Sequence, residues 1–234
     1  MSGPAVTTTK EWRGPFYPEK LPAKEMLAFY GEHFRSVEIN NSFYRVPKSE
    51  VVQNWAQTVL EDFQFVMKAP SRIAHFKRLK DVGQETEYFI SVADHLRDRF
   101  GASLFQFPPN FKKDMERLQA FVDLLLERLP VATEFRQGSW FDDEARDCLR
   151  AGYLTMWSAH KDDDTEEEEA LEFGSTAHWG HLRLRGSEYR DEEMQSWAQR
   201  VLEQERKGAF VFFKCEDEGF GPRPARRFLG PAWN

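Results

Sequence analysis

The hydrophobic and polar positions divide the chain into short apolar runs, each ending in a polar or charged side chain. The clearest run is Ser36–Pro47, in which Val37 and Ile39 alternate with Glu38 and Asn40. Successive strand side chains point to opposite faces, so Glu38 and Asn40 share one face. Burying a carboxylate and an amide without partners is costly. They therefore belong either to a structural network or to a cavity that a ligand completes.

Five further runs repeat this arrangement with the same parity. They are Phe63–Pro70 ending in Lys68, Ala102–Pro109 ending in Gln106, Val131–Trp140 with Glu134 and Arg136, His181–Gly186 with Arg183 and Arg185, and Ala209–Cys215 ending in Lys214. The polar side chains at the strand ends therefore all point to the same, inner side. This arrangement fits the mouth of a closed parallel barrel better than an open sheet with one solvent-exposed face. The pattern therefore predicts an α/β fold of the TIM-type (β/α) barrel class.

Apolar residues between these runs recur at helical spacing, which predicts helices alternating with the strands. Three predicted helices begin at Pro22, at a capping Ser49 and at Asp114. Two more span Gln84–Phe100 and about Phe141–Arg150, another includes Met194–Leu202, and a short last helix lies near Ala225–Leu229. The later strands are predicted at Gly152–Ser158, His178–Arg185 and Phe210–Lys214. Only Gly3–Thr8 is available for the first strand, which is therefore expected to be degenerate or missing.

The chain has 234 residues, of which 41% are hydrophobic and 15% aromatic. This length and core content predict one domain over residues 1–234. We expect a cytoplasmic protein, because no apolar run reaches about 18 residues and the first residues lack a signal-peptide layout. With only Cys148 and Cys215, the chain has neither a disulfide framework nor a four-cysteine zinc site.

The formal charge of −7 is unevenly distributed. The run Asp162–Glu169 contains seven acids, and without them the chain has 32 acids and 32 bases. Residues 162–170 are therefore predicted to form an acidic, disordered loop, which makes the helix after the sixth strand irregular. In contrast, Arg72–Lys80 carries four bases and His75 but no acid, which predicts a positive rim after the third strand.

Six sequence blocks together resemble the YecE-like family, also known as domain of unknown function 72. They are WRGPFYP, VEINNSFYRVP, FVMKAP, LFQFPP, EFRQGSW and RLRG, in that order between Glu11 and Leu229. The resemblance implies a TIM-type barrel, and proposals for the family include a role on nucleic-acid phosphoesters.

The chain departs from that family's pattern at the expected active face. The family's first strand reads like GTSGWSY, where this chain has AVTTTKE. Ala159 stands where an acidic residue is usual, Arg185 replaces a histidine, and Lys214 with Cys215 replaces an asparagine pair. These differences make the expected mouth more cationic.

The candidate site residues fall into two groups. Glu38, Glu134 and Lys68 are the candidate catalytic residues, because paired carboxylates and a lysine can transfer protons and stabilise charge. The candidate substrate-binding residues are Asn40, Tyr44, Arg72, His75, Gln106, Arg136, Trp140, Arg183, Arg185 and Lys214. We expect a hydrolase that acts on a phosphate-bearing substrate, with nucleic acid as one candidate.

Other interpretations stay open. Glu134 and Arg136 also suit a structural ion-pair network, and the same cations suit a binder of an anionic metabolite or nucleic acid that performs no chemistry. A sugar-processing barrel would use Glu38 and Glu134 as its carboxylate pair. No membrane partner is expected.

A divalent metal stays open as a cofactor, because Glu38 and Glu134 could ligate one. His75 and His160 are further candidates near the strand ends, whereas His178 and His181 are three apart and point to opposite faces of a strand. The chain has no HExxH, Walker A or EF-hand motif.

Overall fold

Strands and helices alternate along the chain, as the apolar pattern predicts. The structure is a computed structural model that describes residues 2–4, 12–125, 128–156, 176–184, 189–203, 208–213 and 222–228. The strands are β1 (Ser2–Pro4), β2 (Ser36–Ile39), β3 (Gln64–Lys68), β4 (Phe100–Gln106), β5 (Val131–Glu134), β6 (Thr155–Met156), β7 (Trp179–Leu184) and β8 (Gly208–Phe213). The α-helices are α1 (Met26–His33), α2 (Ser49–Thr58), α3 (Gly83–Ala93), α4 (Met115–Leu125), α5 (Asp143–Ala151), α6 (Asp191–Leu202) and α7 (Pro222–Phe228).

The strands form two parallel sheets. One has the order β2-β3-β4-β5-β6 and the other the order β1-β8-β7. Strand β1 lies against β2, and β6 lies against β7, so the edges of the two sheets are adjacent. The first strand was expected within Gly3–Thr8. It lies instead at Ser2–Pro4, where it pairs with β8, and it is only three residues long.

The strand residues alternate between two apolar layers. One layer includes Phe65 and Phe105 and packs against the helices, where the Phe105 ring lies 4.9 Å from the ring of Phe121 on α4. The other is a separate cluster on the opposite strand face, made up of Val66, Ala102, Leu104, Ala132, Phe210 and Phe212. Lys68, Gln106 and Glu134 share the parity of this second cluster and follow it along their strands.

The predicted helix Gln84–Phe100 is broken in the structure. Helix α3 ends at Ala93, and a 3₁₀ segment follows over Asp94–Arg99. Arg97 has a φ of 52° and a ψ of −130°, which no helix accommodates. The chain turns there into β4, and the apolar spacing of the sequence does not reveal this turn.

Helix starts are set partly by side-chain caps. The predicted start at Asp114 is confirmed, because its Oδ1 accepts from the Arg117 amide at 3.1 Å. Asp142 caps α5 by accepting from the Ala145 amide at 3.0 Å. Ser49, predicted as a cap, is instead the first residue of α2, and Lys48 stands at the cap without a side-chain hydrogen bond.

Two predictions fall beyond the described residues. They are the acidic loop at 162–170 and the irregular helix after the sixth strand. Within the ranges that are described, no helix has both the length and the apolar character needed to cross a membrane.

Candidate functional site: a network of strand-end side chains

Polar side chains from β2, β5 and β7 meet around one guanidinium. Arg183 places its Nη2 atom 3.0 Å from Glu38 Oε1 and its Nη1 atom 3.4 Å from Glu134 Oε2. The same Nη2 donates to Asn40 Oδ1 at 3.3 Å. Arg183 is only 5% exposed, so these contacts lie inside the protein. The two carboxylates are therefore bridged by a cation and do not face each other bare.

Glu38 forms the deepest part of the network and has no exposed surface. Its Oε2 atom lies 3.0 Å from His181 Nε2. An ionised carboxylate only accepts hydrogen bonds, so Nε2 carries the proton. Burial raises the pKa of Glu38. The charge of Arg183 and the hydrogen bond from His181 lower it by more, so the pKa of Glu38 lies below its ordinary value.

Gln106 connects this buried layer to the surface. Its Nε2 donates to Glu134 Oε1 at 2.7 Å, and its Oε1 accepts from Lys68 Nζ at 2.8 Å. Arg136 Nε lies 3.2 Å from the same Glu134 oxygen. Lys68 and Arg136 are partly exposed, whereas Gln106 and Glu134 are buried. The network thus ends in two cations at its solvent side.

An aromatic ring supports this solvent side. Lys68 Nζ lies 4.1 Å from the centre of the Phe43 ring, a cation–π contact. The His75 ring meets the same phenyl ring edge-on, with centroids 4.9 Å apart. Burial and the nearby charge of Lys68 lower the pKa of His75. His75 is therefore a neutral hydrogen-bonding group beside the two cations at neutral pH.

Counted over the described residues, the charge balance of the network is positive. Two carboxylates, Glu38 and Glu134, face three cations, Lys68, Arg136 and Arg183. Because the carboxylates lie deeper than Lys68 and Arg136, the excess charge is presented to solvent. Such an arrangement can attract and orient an anion.

Several predicted site residues lie together. Glu38, Asn40, Lys68, His75, Gln106, Glu134, Arg136 and Arg183 belong to this network or contact its Phe43 support. Tyr44 is 83% exposed and contacts Phe43 edge-on at 5.2 Å. Arg185 and Lys214 lie outside the described residues.

Trp140 does not belong to this group. It is completely buried, its ring stacks on Phe135 at 4.3 Å, and its Nε1 donates to the Phe111 carbonyl at 2.6 Å. Its position after β5 suggested the rim, but the chain folds it into the apolar layer. In this position Trp140 has no surface to offer a ligand.

The basic rim predicted for Arg72–Lys80 is partly neutralised. Arg72 Nε donates to Glu85 Oε1 at 2.7 Å, and Lys77 Nζ lies 2.9 Å from the same oxygen. The hydrogen bond from Arg72, and to a smaller extent the one from Lys77, lower the pKa of Glu85 to about 2. Arg72 therefore has an internal partner on α3, which the sequence pattern did not indicate.

His181 is a site residue that sequence reasoning missed. It was considered only as a metal ligand and set aside because it opposes His178. However, His181 is two residues before Arg183, so the period-two rule already placed both on one face. Its partner Glu38 comes from another strand, and that pairing depends on the fold.

The donor set does not favour a metal between the two carboxylates. The Arg183 guanidinium bridges Glu38 and Glu134, in the place where a divalent cation would have to bind. Among the described residues, no group of three or more His, Cys, Asp or Glu side chains is arranged to hold a metal ion. His160 falls outside those residues.

Acid should weaken the fold through Glu38. A carboxylate whose pKa is lower in the folded state than its ordinary 4.5 contributes stability above that pH and loses it as the pH falls. Urea unfolding between pH 7 and 3 should show this loss, at up to about 1.4 kcal/mol per pH unit for one group. Glu38→Gln should flatten the slope.

Glu87→Gln is the matched control for this experiment. Glu87 also has a lowered pKa, caused first by its hydrogen bond with Arg128, but it is exposed and screened by solvent. Its replacement should change the slope much less than Glu38→Gln. Equal slopes for wild type and Glu38→Gln would contradict a buried, ionised Glu38.

The fold and the network together define a class of α/β proteins whose parallel strands bring charged side chains together at their carboxyl ends. The family described as "Protein of unknown function DUF72" matches residues 2–232, so the chain belongs to the DUF72 family. This match confirms the resemblance inferred from the six sequence blocks.

Curated relatives match part of the chain. The chain is 31% identical to the UPF0759 protein YecE of Escherichia coli strain K12 over 116 residues. This matched region covers 49% of this chain and 43% of that protein. The chain is also 31% identical over 133 residues to the UPF0759 protein YunF of Bacillus subtilis strain 168, which covers 53% and 47%. The matched parts span a little less than half the length of these relatives.

Solved structures share the fold. A DUF72 family protein from Thermotoga maritima MSB8 has a TM-score of 0.82 at 24% identity, covering 100% of this chain and 98% of that one. A DUF72 family protein from Enterococcus faecalis V583 has a TM-score of 0.75 at 19% identity, covering 98% and 94%. At these identities the similarity concerns the fold alone.

Proposed function

We propose that the strands close into an eight-stranded (β/α) barrel within one domain, with the charged network at its mouth. The adjacency of β1 to β2 and of β6 to β7 supports this closure. The carboxyl ends of the strands are where such barrels collect their functional side chains. In this proposal the protein works in the cytoplasm.

At this mouth the protein binds a phosphate-bearing substrate. The observation that carries the proposal is the fixed pair of cations, Lys68 and Arg136, held by one buried Gln106–Glu134 pair. Their side chains are oriented before any ligand arrives, so less entropy is lost on binding. Guanidinium and ammonium groups both donate strong, charge-assisted hydrogen bonds to phosphate oxygens.

The proposed reaction is hydrolysis of a phosphoester. Lys68 and Arg136 would stabilise the charge that develops on the phosphate oxygens. Water would attack the phosphorus atom while the bond from phosphorus to the leaving oxygen breaks. Glu134, which is 7% exposed, would take a proton from that water and pass it to the leaving oxygen. Arg183 would act from below by holding Glu134 in place. These roles need no metal ion.

Glu38 has a different role in this proposal from the one its sequence pattern suggested. It is sealed beneath the mouth and engaged with Arg183 and His181. It would therefore position Arg183 without touching substrate. The same burial argues against a sugar-processing site, because glycoside hydrolysis needs both carboxylates at the substrate.

Single-stranded nucleic acid is the substrate class that the surroundings favour. Tyr44 is exposed and lies on Phe43, which also contacts Lys68 and His75. An exposed aromatic ring beside cations is the combination that binds unstacked bases and their phosphates. Arg185 and Lys214 would add to the cationic surface in this proposal.

A panel of phosphoesters that includes single-stranded oligonucleotides tests the proposal, with EDTA present or absent. Turnover should fall about 100-fold in Glu134→Gln. Substrate affinity should fall at least about 100-fold in a Lys68→Gln/Arg136→Gln variant, because two charged hydrogen bonds together contribute about 3–6 kcal/mol. The matched control, here called the α5 control, is Arg146→Gln/Arg150→Gln. It removes the partly buried Arg146, paired with Asp143, and the exposed Arg150, paired with Asp147.

The outcomes separate the alternatives. Affinity that depends on Lys68 and Arg136 without turnover on any substrate would reject hydrolysis and select a non-catalytic binder. Equal losses in the α5 control would show a general charge effect and reject the site. Activity that EDTA abolishes would contradict the metal-free scheme.

A further inference from the structure

A second cleft lies at the opposite ends of the strands from the mouth. Strand β3 begins at Gln64, whose Nε2 donates to the Asp98 carbonyl at 2.9 Å, and β4 begins at Phe100. The segment Asp94–Arg99 is therefore at the amino ends of β3 and β4. Lys68 lies at the other end of β3, about 13 Å away along a five-residue strand. The two regions are separate sites.

This second cleft, here called the α2 cleft, lies between α2 and the Asp94–Arg99 segment and has a volume of about 620 Å³. Ala56 and Leu96 are buried and form its apolar floor, and the exposed amides of Gln53 and Gln57 line its α2 side. This volume is within the range of small-molecule sites.

Two guanidinium groups that have no partner in the described part of the chain line the α2 cleft. Within the described ranges, no hydrogen bond or ion pair joins the Arg97 or Arg99 side chain to another residue, and Arg99 Nε is buried without an acceptor. A buried donor without an acceptor is costly and calls for explanation. Asp94 is the one carboxylate among the described residues that line the cleft, so among these residues cations are in excess.

The backbone of Arg97 is held in a strained conformation. Its φ of 52° with a ψ of −130° is a conformation that glycine adopts freely and that arginine adopts only when its surroundings enforce it. Strain of this kind is typical of binding sites. It supports a role for the Arg97 side chain that glycine could not fill.

We propose that the α2 cleft binds a small molecule bearing a diphosphate group, with Arg97 and Arg99 each pairing with phosphate oxygens. A guanidinium offers a planar pair of donors that matches a phosphate, and two of them suit two linked phosphates. Gln53 and Gln57, one helical turn apart, add neutral donors on the facing wall. The site is independent of the function proposed for the mouth.

Calorimetric titration with sodium pyrophosphate tests the α2 cleft in the full chain. To exclude binding at the mouth, the titration is carried out in the Lys68→Gln/Arg136→Gln background. Adding Arg97→Gln/Arg99→Gln should weaken binding at least tenfold, while adding Arg146→Gln/Arg150→Gln, which removes the same charge, should leave it within twofold. Absence of binding in the starting background, or equal losses in both variants, would overturn the proposal.

Arg97→Gly separates a binding role from a structural one. Glycine relieves the positive φ, so the melting temperature should rise, while pyrophosphate affinity should fall at least tenfold. A purely structural role for Arg97 predicts unchanged affinity, and that result would overturn the proposal. Whether the mouth binds phosphate is tested separately, by comparing wild type with Lys68→Gln/Arg136→Gln. A negative result there would not change the effect of the Arg97 and Arg99 variants on pyrophosphate affinity.

Discussion

Arg183→Met should lower the free energy of unfolding by about 3–5 kcal/mol at pH 7, the range for breaking a buried ion pair from one side. Arg183 is the cation between Glu38 and Glu134, at 3.0 and 3.4 Å from their oxygens. Without it, two buried carboxylates share a site of low polarity, and both burial and mutual repulsion then raise their pKa values. Urea unfolding of wild type and variant at pH 7 measures the difference.

The pH dependence distinguishes a lost ion pair from lost volume. A carboxylate whose folded pKa lies above its unfolded pKa is destabilising at high pH, so Arg183→Met should be less damaging at pH 5 than at pH 7. Adding Glu38→Gln should recover part of the loss, because it removes one of the uncompensated charges. Arg150→Met, in an exposed pair with Asp147, should change stability by less than about 1 kcal/mol. A pH-independent loss in Arg183→Met would contradict the electrostatic explanation.

Much of the network could be predicted because strand parity is a local property. Glu38, Lys68, Gln106, Glu134 and Arg183 each end an apolar strand, and alternation alone assigns them to one face. In contrast, the partners of each side chain come from strand register and packing. Glu134 pairs with Gln106 across β4 and β5, but its bond to Arg183 crosses between the two sheets. No spacing in the sequence encodes that distance.

The features that the sequence did not reveal concern loops and helix ends. Arg72 pairs with Glu85 on α3, and Arg97 takes a backbone conformation that its residue type disfavours. Both depend on how a loop packs against neighbouring elements, which hydrophobic periodicity does not report. The short first strand similarly depends on its pairing with β8 more than on its own weak apolar character.

Trp140→Ala should lower the free energy of unfolding by about 3–5 kcal/mol, the range for removing a large buried aromatic side chain. Trp140 is completely buried, stacks on Phe135 and lies 5.1 Å from the Phe111 ring. Trp140→Phe should cost less, about 1–3 kcal/mol, because it keeps an aromatic ring but leaves the buried Phe111 carbonyl without its 2.6 Å hydrogen bond. Urea unfolding of both variants measures these losses.

Tyr44→Ala removes an exposed aromatic ring, in contrast to the buried ring of Trp140. Tyr44 is 83% exposed, so its replacement should change stability by no more than about 0.5 kcal/mol. If the proposed mouth binds single-stranded nucleic acid, the same change should weaken oligonucleotide binding about tenfold, since base stacking on an aromatic ring contributes about 1–3 kcal/mol. Trp140→Phe should leave that affinity within twofold. Weaker oligonucleotide binding in Trp140→Phe but not in Tyr44→Ala would restore Trp140 to the ligand-binding surface and contradict its assignment to the apolar layer.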